Sequence, residues 1–158
     1  MKRIYIFLIA LNFVGSCWGC GLITGKGDAE KVAGSFLEDR IANGGFGGDD
    51  KYYSDIFWQY TDEHEWKNIT RLVDKAMGNL NSYSLITWNT QSKFHTNQLS
   101  GTFVVLVYLT EYEKGKGQET LTMYKGVKDK DFLILGQHIN SAKIQELLYR
   151  GIEQVAAE

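Results

Sequence analysis

The sequence predicts an α+β domain: helices packed on a bent four-stranded antiparallel sheet, with an additional C-terminal helix. Two observations carry this. Segments of helical periodicity between residues 28 and 80 precede four segments of strand periodicity, and the links between those strands are of hairpin length. A third observation, size, limits the domain count. The 158 residues are 44% hydrophobic and 13% aromatic, which supplies one real core and leaves no room for a second domain. Charged residues of both signs make up 23% of the chain, as a solvated surface requires. The net charge of -2 and the lack of a basic stripe exclude a sequence-independent grip on nucleic acid, which takes many Lys and Arg. Proline is absent, so breaks between elements fall to 17 glycines and to Asn, Asp and Ser.

The first element is a targeting segment. "MKRIYIFLIALNFVGSC" has a basic tip at Lys2 and Arg3, an apolar stretch from Ile4 to Val14, then the small residues Gly15 and Ser16. That order is the secretory signal pattern, and the stretch falls short of the roughly 20 residues of a spanning helix. The chain's two cysteines follow, Cys17 and Cys20, spaced C-x-x-C. No strand precedes them and no helix dipole follows to stabilise a thiolate, because the next residues are the glycine-punctuated "GLITGKGD". A zinc site needs two further ligands, and His64, His95 and His138 lie far apart, so no metal is assigned. "VGSC", Val14 to Cys17, resembles the lipobox of bacterial lipoproteins. The resemblance implies cleavage before Cys17, with residues 1–16 removed, and a lipid anchor on the Cys17 sulfur that holds the protein on a membrane. Val14 and Gly15 depart from the Leu and Ala or Ser commonest there, and Cys20 is left without a partner. In enterobacterial lipoproteins an Asp after the lipidated cysteine favours inner-membrane retention. Trp18 in that place points to a cell-envelope location on the outer membrane, facing the periplasm. Residues 17–27 read as a lipidated terminus and flexible tether, and residues 28–158 as the domain.

The first helix is expected from an N-cap at Asp28, with Val32, Phe36, Leu37 and Ile41 as its apolar stripe and Asn43, Gly44 and Gly45 as its stop. "GGFGGDD" lacks the G-K-[ST] ending of a phosphate loop and reads as a turn. A short second helix is expected over Asp50 to Tyr60, with Tyr53, Phe57 and Tyr60 on one side. The third opens on a capping-box-like pair, Asp62 and Glu65, and runs through Trp66, Ile69, Val73, Ala76 and Leu80, weakened at Gly78 and Asn79. From Asn81 the period becomes two. "SYSLITWNTQSKF" is one strand, "GTFVVLVYLTEYEKGKGQETLTMYK" a hairpin turning at Gly115 to Gly117, and "DFLILGQHIN" the last. In the second strand Phe103, Val105, Val107 and Leu109 alternate with Val104, Leu106 and Tyr108, so both faces need cover. The early helices supply one side, and "SAKIQELLYRGIEQVAAE" offers Ile144, Leu147, Leu148 and Val155 for the other, with Gly151 an interruption.

The hairpin and the strand "DFLILGQHINS" resemble the sheet of small bacterial lipoproteins with a cystatin-like or nuclear transport factor 2-like α+β domain. The resemblance covers most of Asp28 to Ser141 and rests on loose alternation; the C-terminal helix exceeds its pattern. It implies a cone with a pocket, a scaffold used for small-ligand binding, for protein pairing and for catalysis, so fold alone does not choose.

Catalysis in such a cone would need a carboxylate or His with a positioned partner. Glu111, Glu113, Glu119, His64, His95 and His138 are the ionisable candidates. Glu111 and Glu113 beside Lys114 and Lys116 read as solvated charges at a hairpin end, and His138 as an edge histidine. No catalytic set and no cofactor is assigned. Aromatic side chains are foremost core formers, and a minority line pockets. Trp88, Tyr108 and Tyr124 on the strands, with His138, are the residues assigned to ligand contact. The sum favours a non-catalytic, lipid-anchored envelope module that binds a protein or small-molecule ligand. The alternatives are a cavity enzyme of isomerase or hydratase type, and an envelope immunity-like or structural tether protein.

Overall fold

Three helices lie on one face of a four-stranded antiparallel sheet in the computed structural model, which describes residues 25–93 and 99–146. The expected signal segment, Cys17, Cys20, His95 and the second half of the expected C-terminal helix, with Leu147, Leu148, Gly151 and Val155, lie outside the described residues. No helix among the described residues is long and apolar enough to cross a membrane.

Helix α1 (Lys26–Asn43) begins two residues before the expected cap, so Asp28 lies in its first turn, where its charge meets the positive end of the helix dipole. Its buried face is Ala29, Ala33, Phe36, Leu37 and Arg40, while Val32 is half-buried and Ile41 is 41% exposed. The expected stripe was thus displaced by one position at its end, and a charged residue took the place of an apolar one. Residues 50 to 60 do not form one helix. A single 3-10 turn (Asp50–Tyr52) is followed by Tyr53, which bridges Ile134 in parallel, and then by α2 (Asp55–Tyr60), capped by Ser54 Oγ accepting the Phe57 N–H at 3.1 Å. That break turns Tyr53 and Phe57 inward, and leaves Tyr60 86% exposed. Helix α3 (Glu63–Met77) opens as expected on Asp62, whose Oδ1 accepts the Glu65 N–H at 2.9 Å, and closes at Gly78. Trp66, Val73, Ala76 and Met77 are its buried residues, and Ile69 is half-exposed.

Strands β1 (Leu80–Lys93), β2 (Gly101–Tyr112), β3 (Gly115–Gly126) and β4 (Leu133–Asn140) form a meander in the order β1-β2-β3-β4, every pair antiparallel. Tyr112 pairs with Gly115, so the β2–β3 turn is Glu113–Lys114, two residues earlier than expected. The end of α3 holds it there: the Glu113 N–H bonds the Asn79 carbonyl at 3.0 Å and the Lys114 N–H bonds that of Met77 at 2.9 Å. Gly117 instead serves close packing, because a Cβ there would press on Ile139 and Thr110 at 3.2 to 3.3 Å.

Alternation along β2 is as expected. Val104, Leu106, Tyr108, Thr110 and Tyr112 are buried beneath the helices, while Phe103, Val105 and Val107 on the other face are half-buried and Leu109 is 40% exposed. Residues 142–146 are helical, and Ile144 packs partly on the core. The core is rich in rings: Phe57 lies 4.6 Å from Tyr53, 4.9 Å from Trp58 and 5.1 Å from Trp66, most of these contacts edge-on or tilted as ring quadrupoles prefer.

Candidate functional site

Two constructions stand out among the described residues, one closed and one open. The closed one starts from two charges on apolar stripes. Arg40 falls on the buried face of α1 because it follows Phe36 and Leu37 by one helical turn, and Glu119 falls on the buried face of β3 between Gly117 and Leu121. Arg40 Nη1 donates to Glu119 Oε1 at 2.6 Å, with side-chain exposures of 1% and 0%. Arg40 Nη2 donates to the Tyr112 hydroxyl at 2.9 Å, and that hydroxyl donates to Glu119 Oε2 at 2.9 Å. Gln137 Nε2 from β4 donates to Glu119 Oε1 at 2.8 Å and to the Phe46 carbonyl at 3.2 Å. The Tyr53 hydroxyl lies within hydrogen-bond distance of Gln137 Oε1 and the Gly47 carbonyl. Rings of Phe36 and Phe46 flank the guanidinium at 5.3 and 4.8 Å.

Burial opposes the charge on Arg40, but Glu119 and Tyr112 outweigh it and hold the guanidinium above its ordinary pKa. Burial pushes the Tyr53 and Tyr112 hydroxyls up, so both stay protonated as donors. Both Glu119 oxygens are taken, by three donors. The network therefore ties α1, β2, β3 and β4 together, and its carboxylate is held as an acceptor rather than presented to a cavity.

The open construction is a groove of about 460 Å³ between α1 and the β3–β4 connection. Asp28, Lys31, Val32 and Ser35 come from α1, Tyr52 from the 3-10 turn, Lys125 from β3, and Lys130, Asp131 and Phe132 from the connection. Phe132 is buried and forms an apolar floor, with Lys125 Nζ 5.8 Å above its ring. Lys31, Lys125 and Lys130 make no ion pair among the described residues, and they outnumber the two carboxylates beside them. Such a wall attracts an anionic group flanked by apolar surface.

The four residues assigned to ligand contact are not brought together. Trp88 pairs with Leu106 on the helix-covered face, is 42% exposed at the sheet's margin, and has Lys26 Nζ at 5.9 Å from its ring. Tyr108 is on the same face but 2% exposed, its ring edge-on to Tyr83 at 5.7 Å and its hydroxyl without a hydrogen-bond partner among the described residues. Tyr124 pairs with Phe103 on the opposite face, and its hydroxyl donates to the Ser100 carbonyl at 3.0 Å. His138 is exposed on β4 opposite Thr120, on that same outer face. Of the carboxylates, Glu111 pairs with Lys116, and Glu113 accepts from Asn79 Nδ2 at 3.0 Å at the hairpin end. His64 is exposed on α3 near Asn68.

Among the described residues no three His, Cys, Asp or Glu side chains stand where they could hold a metal ion. Sequence reasoning missed Arg40, Gln137 and the lysines of the groove. The signal for the network was present, since opposite charges on the apolar faces of two elements announce a buried pair. The groove left no such trace, because its walls come from three separate stretches of chain. No family model, curated protein or solved structure matches this sequence.

Proposed function

We propose that this chain is a binding module held at a bacterial cell envelope by a lipid on Cys17, and that it takes an anionic group of its ligand in the lysine-walled groove. The observation that carries the binding reading is the groove itself: Lys31, Lys125 and Lys130 line it without ion-pair partners among the described residues, and Lys125 lies over the ring of Phe132. The fold frame is that of small lipoproteins with a cystatin-like or nuclear transport factor 2-like domain, supported by helices that precede a meander sheet and pack on one face of it. The ligand is a small molecule or a protein segment, and neither a cofactor nor nucleic acid is part of the reading.

The anchor and the groove lie close in the chain. Gly25 is packed against Phe132, so residues 17–24 would join a lipid at Cys17 directly to the groove's end of the molecule. At about 3.5 Å per extended residue, that tether spans less than roughly 30 Å and keeps the groove near the membrane surface.

Two measurements test the parts separately. Cys17→Ser, followed by cell fractionation and mass analysis, should release the protein from membranes and remove the lipid mass. Unchanged membrane association and mass would sink the anchor. A photocrosslinking residue at Lys130 should capture a specific adduct in native cells that the same residue at exposed Lys67 on α3 does not. Identical capture at both positions, or none, would remove the groove from the proposal.

A further inference from the structure

The stretch "GGFGG", residues 44–48, lies outside the groove and seats a single side chain in the body of the domain. Phe46 is 3% exposed, while Gly45 and Gly48 on either side are exposed and hold φ of 86 and 61, left-handed values that favour glycine. Among the described residues no backbone–backbone hydrogen bond includes residues 45–48. Side chains from α1, α3 and β4, with Tyr53, hold the loop instead. The Phe46 N–H donates to Asp74 Oδ1 of α3 at 2.7 Å, and its carbonyl accepts from Gln137 Nε2 of β4 at 3.2 Å. The Gly45 carbonyl accepts from Arg40 Nε of α1 at 3.3 Å, and the Gly47 carbonyl stands 2.7 Å from the Tyr53 hydroxyl. The Phe46 ring lies 4.8 Å from the Arg40 guanidinium and 6.2 Å from the Trp66 ring.

We infer that the slot filled by Phe46 is a binding site for an aromatic residue of a partner's peptide segment, and that Phe46 occupies it in its own chain as a displaceable stand-in. The contacts are of the kind made with a bound peptide: backbone polar groups met by side chains, and one aromatic residue seated in a slot. Chemistry sets the class of the partner. With Phe46 withdrawn, Arg40 Nε, Gln137 Nε2 and the Tyr53 hydroxyl are donors for carbonyls, Asp74 Oδ1 is an acceptor for an N–H, and the guanidinium and Trp66 meet a ring. That set complements peptide backbone carrying an aromatic side chain. A bare hydrocarbon leaves the donors unpaired, and a carboxylate in place of the N–H meets the Asp74 carboxylate. Withdrawal breaks no helix or strand hydrogen bond, because residues 44–48 lie between α1 and the 3-10 turn, and the glycines regain chain entropy as the loop opens. The inference does not rest on the groove, whose walls share none of these residues.

The test uses the full chain in detergent and three probes: N-acetylphenylalanine amide, N-acetylalanine amide, which lacks the ring, and toluene, which lacks the backbone. Phe46→Ala removes the stand-in, and a closed slot weakens a ligand by the fraction of time it is open. The variant should therefore bind N-acetylphenylalanine amide about tenfold or more tightly than the natural protein does, read by NMR titration of the Trp66 indole and the Gln137 side-chain amide. It should bind the other two probes about tenfold or more weakly than the first. Equal binding by variant and natural protein, or equal binding of toluene and N-acetylphenylalanine amide, overturns the inference. Hydrogen exchange on the natural protein gives a reading that needs no variant. Its Phe46 amide should exchange about a hundredfold or more faster than those of Leu106 and Leu121, and faster still with N-acetylphenylalanine amide present, since a probe in the slot holds the loop open. A Phe46 amide that exchanges only together with Leu106 and Leu121, or one that the probe leaves unmoved, marks a fixed core residue and overturns the inference too.

Discussion

Arg40 and Glu119 are the residues on which this fold is most exposed to damage. A buried ion pair adds little net stability over an apolar substitute, yet breaking one strands the other charge away from water. Arg40→Met or Glu119→Leu alone should each cost about 3–5 kcal/mol in urea denaturation. The double variant should lose less than either, because it strands only the neutral Tyr112 and Gln137 groups; a double loss equal to the sum of the singles would refute the coupling. Asp74 gives a pH-dependent prediction. Its Oδ1 accepts the Phe46 N–H at 2.7 Å, and burial raises its carboxyl above the ordinary 3.8 despite that bond. A raised carboxyl pKa means the folded protein binds the proton more tightly, so stability from this group is present in acid and lost as pH rises through the folded value. Asp74→Asn keeps an acceptor and removes the charge. It should melt higher than the natural protein at neutral pH, with the difference vanishing below about pH 3.8; thermal melts across pH decide this.

Among the elements, α1 and α3 carry opposite lessons about glycine. Gly34 sits inside α1, and a Cβ there would meet only the Tyr83 hydroxyl at 3.6 Å, so Gly34→Ala should stabilise by about 0.5–1 kcal/mol. Gly78 ends α3 at φ 74, and a Cβ there would collide with Glu113 Oε2 and come within 2.9 Å of its Cβ. Gly78→Ala should destabilise by about 1–3 kcal/mol, as a strained backbone position does. Chemical denaturation of the two variants gives the signs, and equal effects would refute the reading. The caps and periods of these helices were legible because they are local: Asp62 with Glu65 announces a helix start in four residues. The split of residues 50 to 60 was not, because Tyr53 leaves the helix to bridge Ile134, a residue far along the chain.

For the molecule as a whole, the sheet's order sets a gradient of protection. Strands β2 and β3 are paired on both sides and bury Leu106, Leu121 and Met123 completely, so their amides should exchange only with global unfolding. The amides of β1 beyond its ladder with β2, and the exposed side of α3 at Ile69 and Leu72, should exchange first. Hydrogen exchange resolved by residue tests the order, and faster exchange in β2 than in α3 would reverse it.

What the sequence by itself determined is the class of the fold and the run of its elements. Helical and strand periods, caps and alternation are properties of neighbouring residues, and they place the helices ahead of the four strands. The tertiary structure alone decided that Arg40 meets Glu119 across 79 positions, and that Lys31 shares a groove with Lys125 and Lys130. Among the described residues it also left the outer side of β1 unpaired, while β4 was partly closed. Those are relations between distant stretches of chain, set by how α1 and the β3–β4 connection pack against the sheet; a charge on an apolar face announces that it needs a buried partner, but not which residue supplies it. For the same reason Trp88, Tyr108, Tyr124 and His138 look alike as strand residues but are divided between the two faces of one sheet.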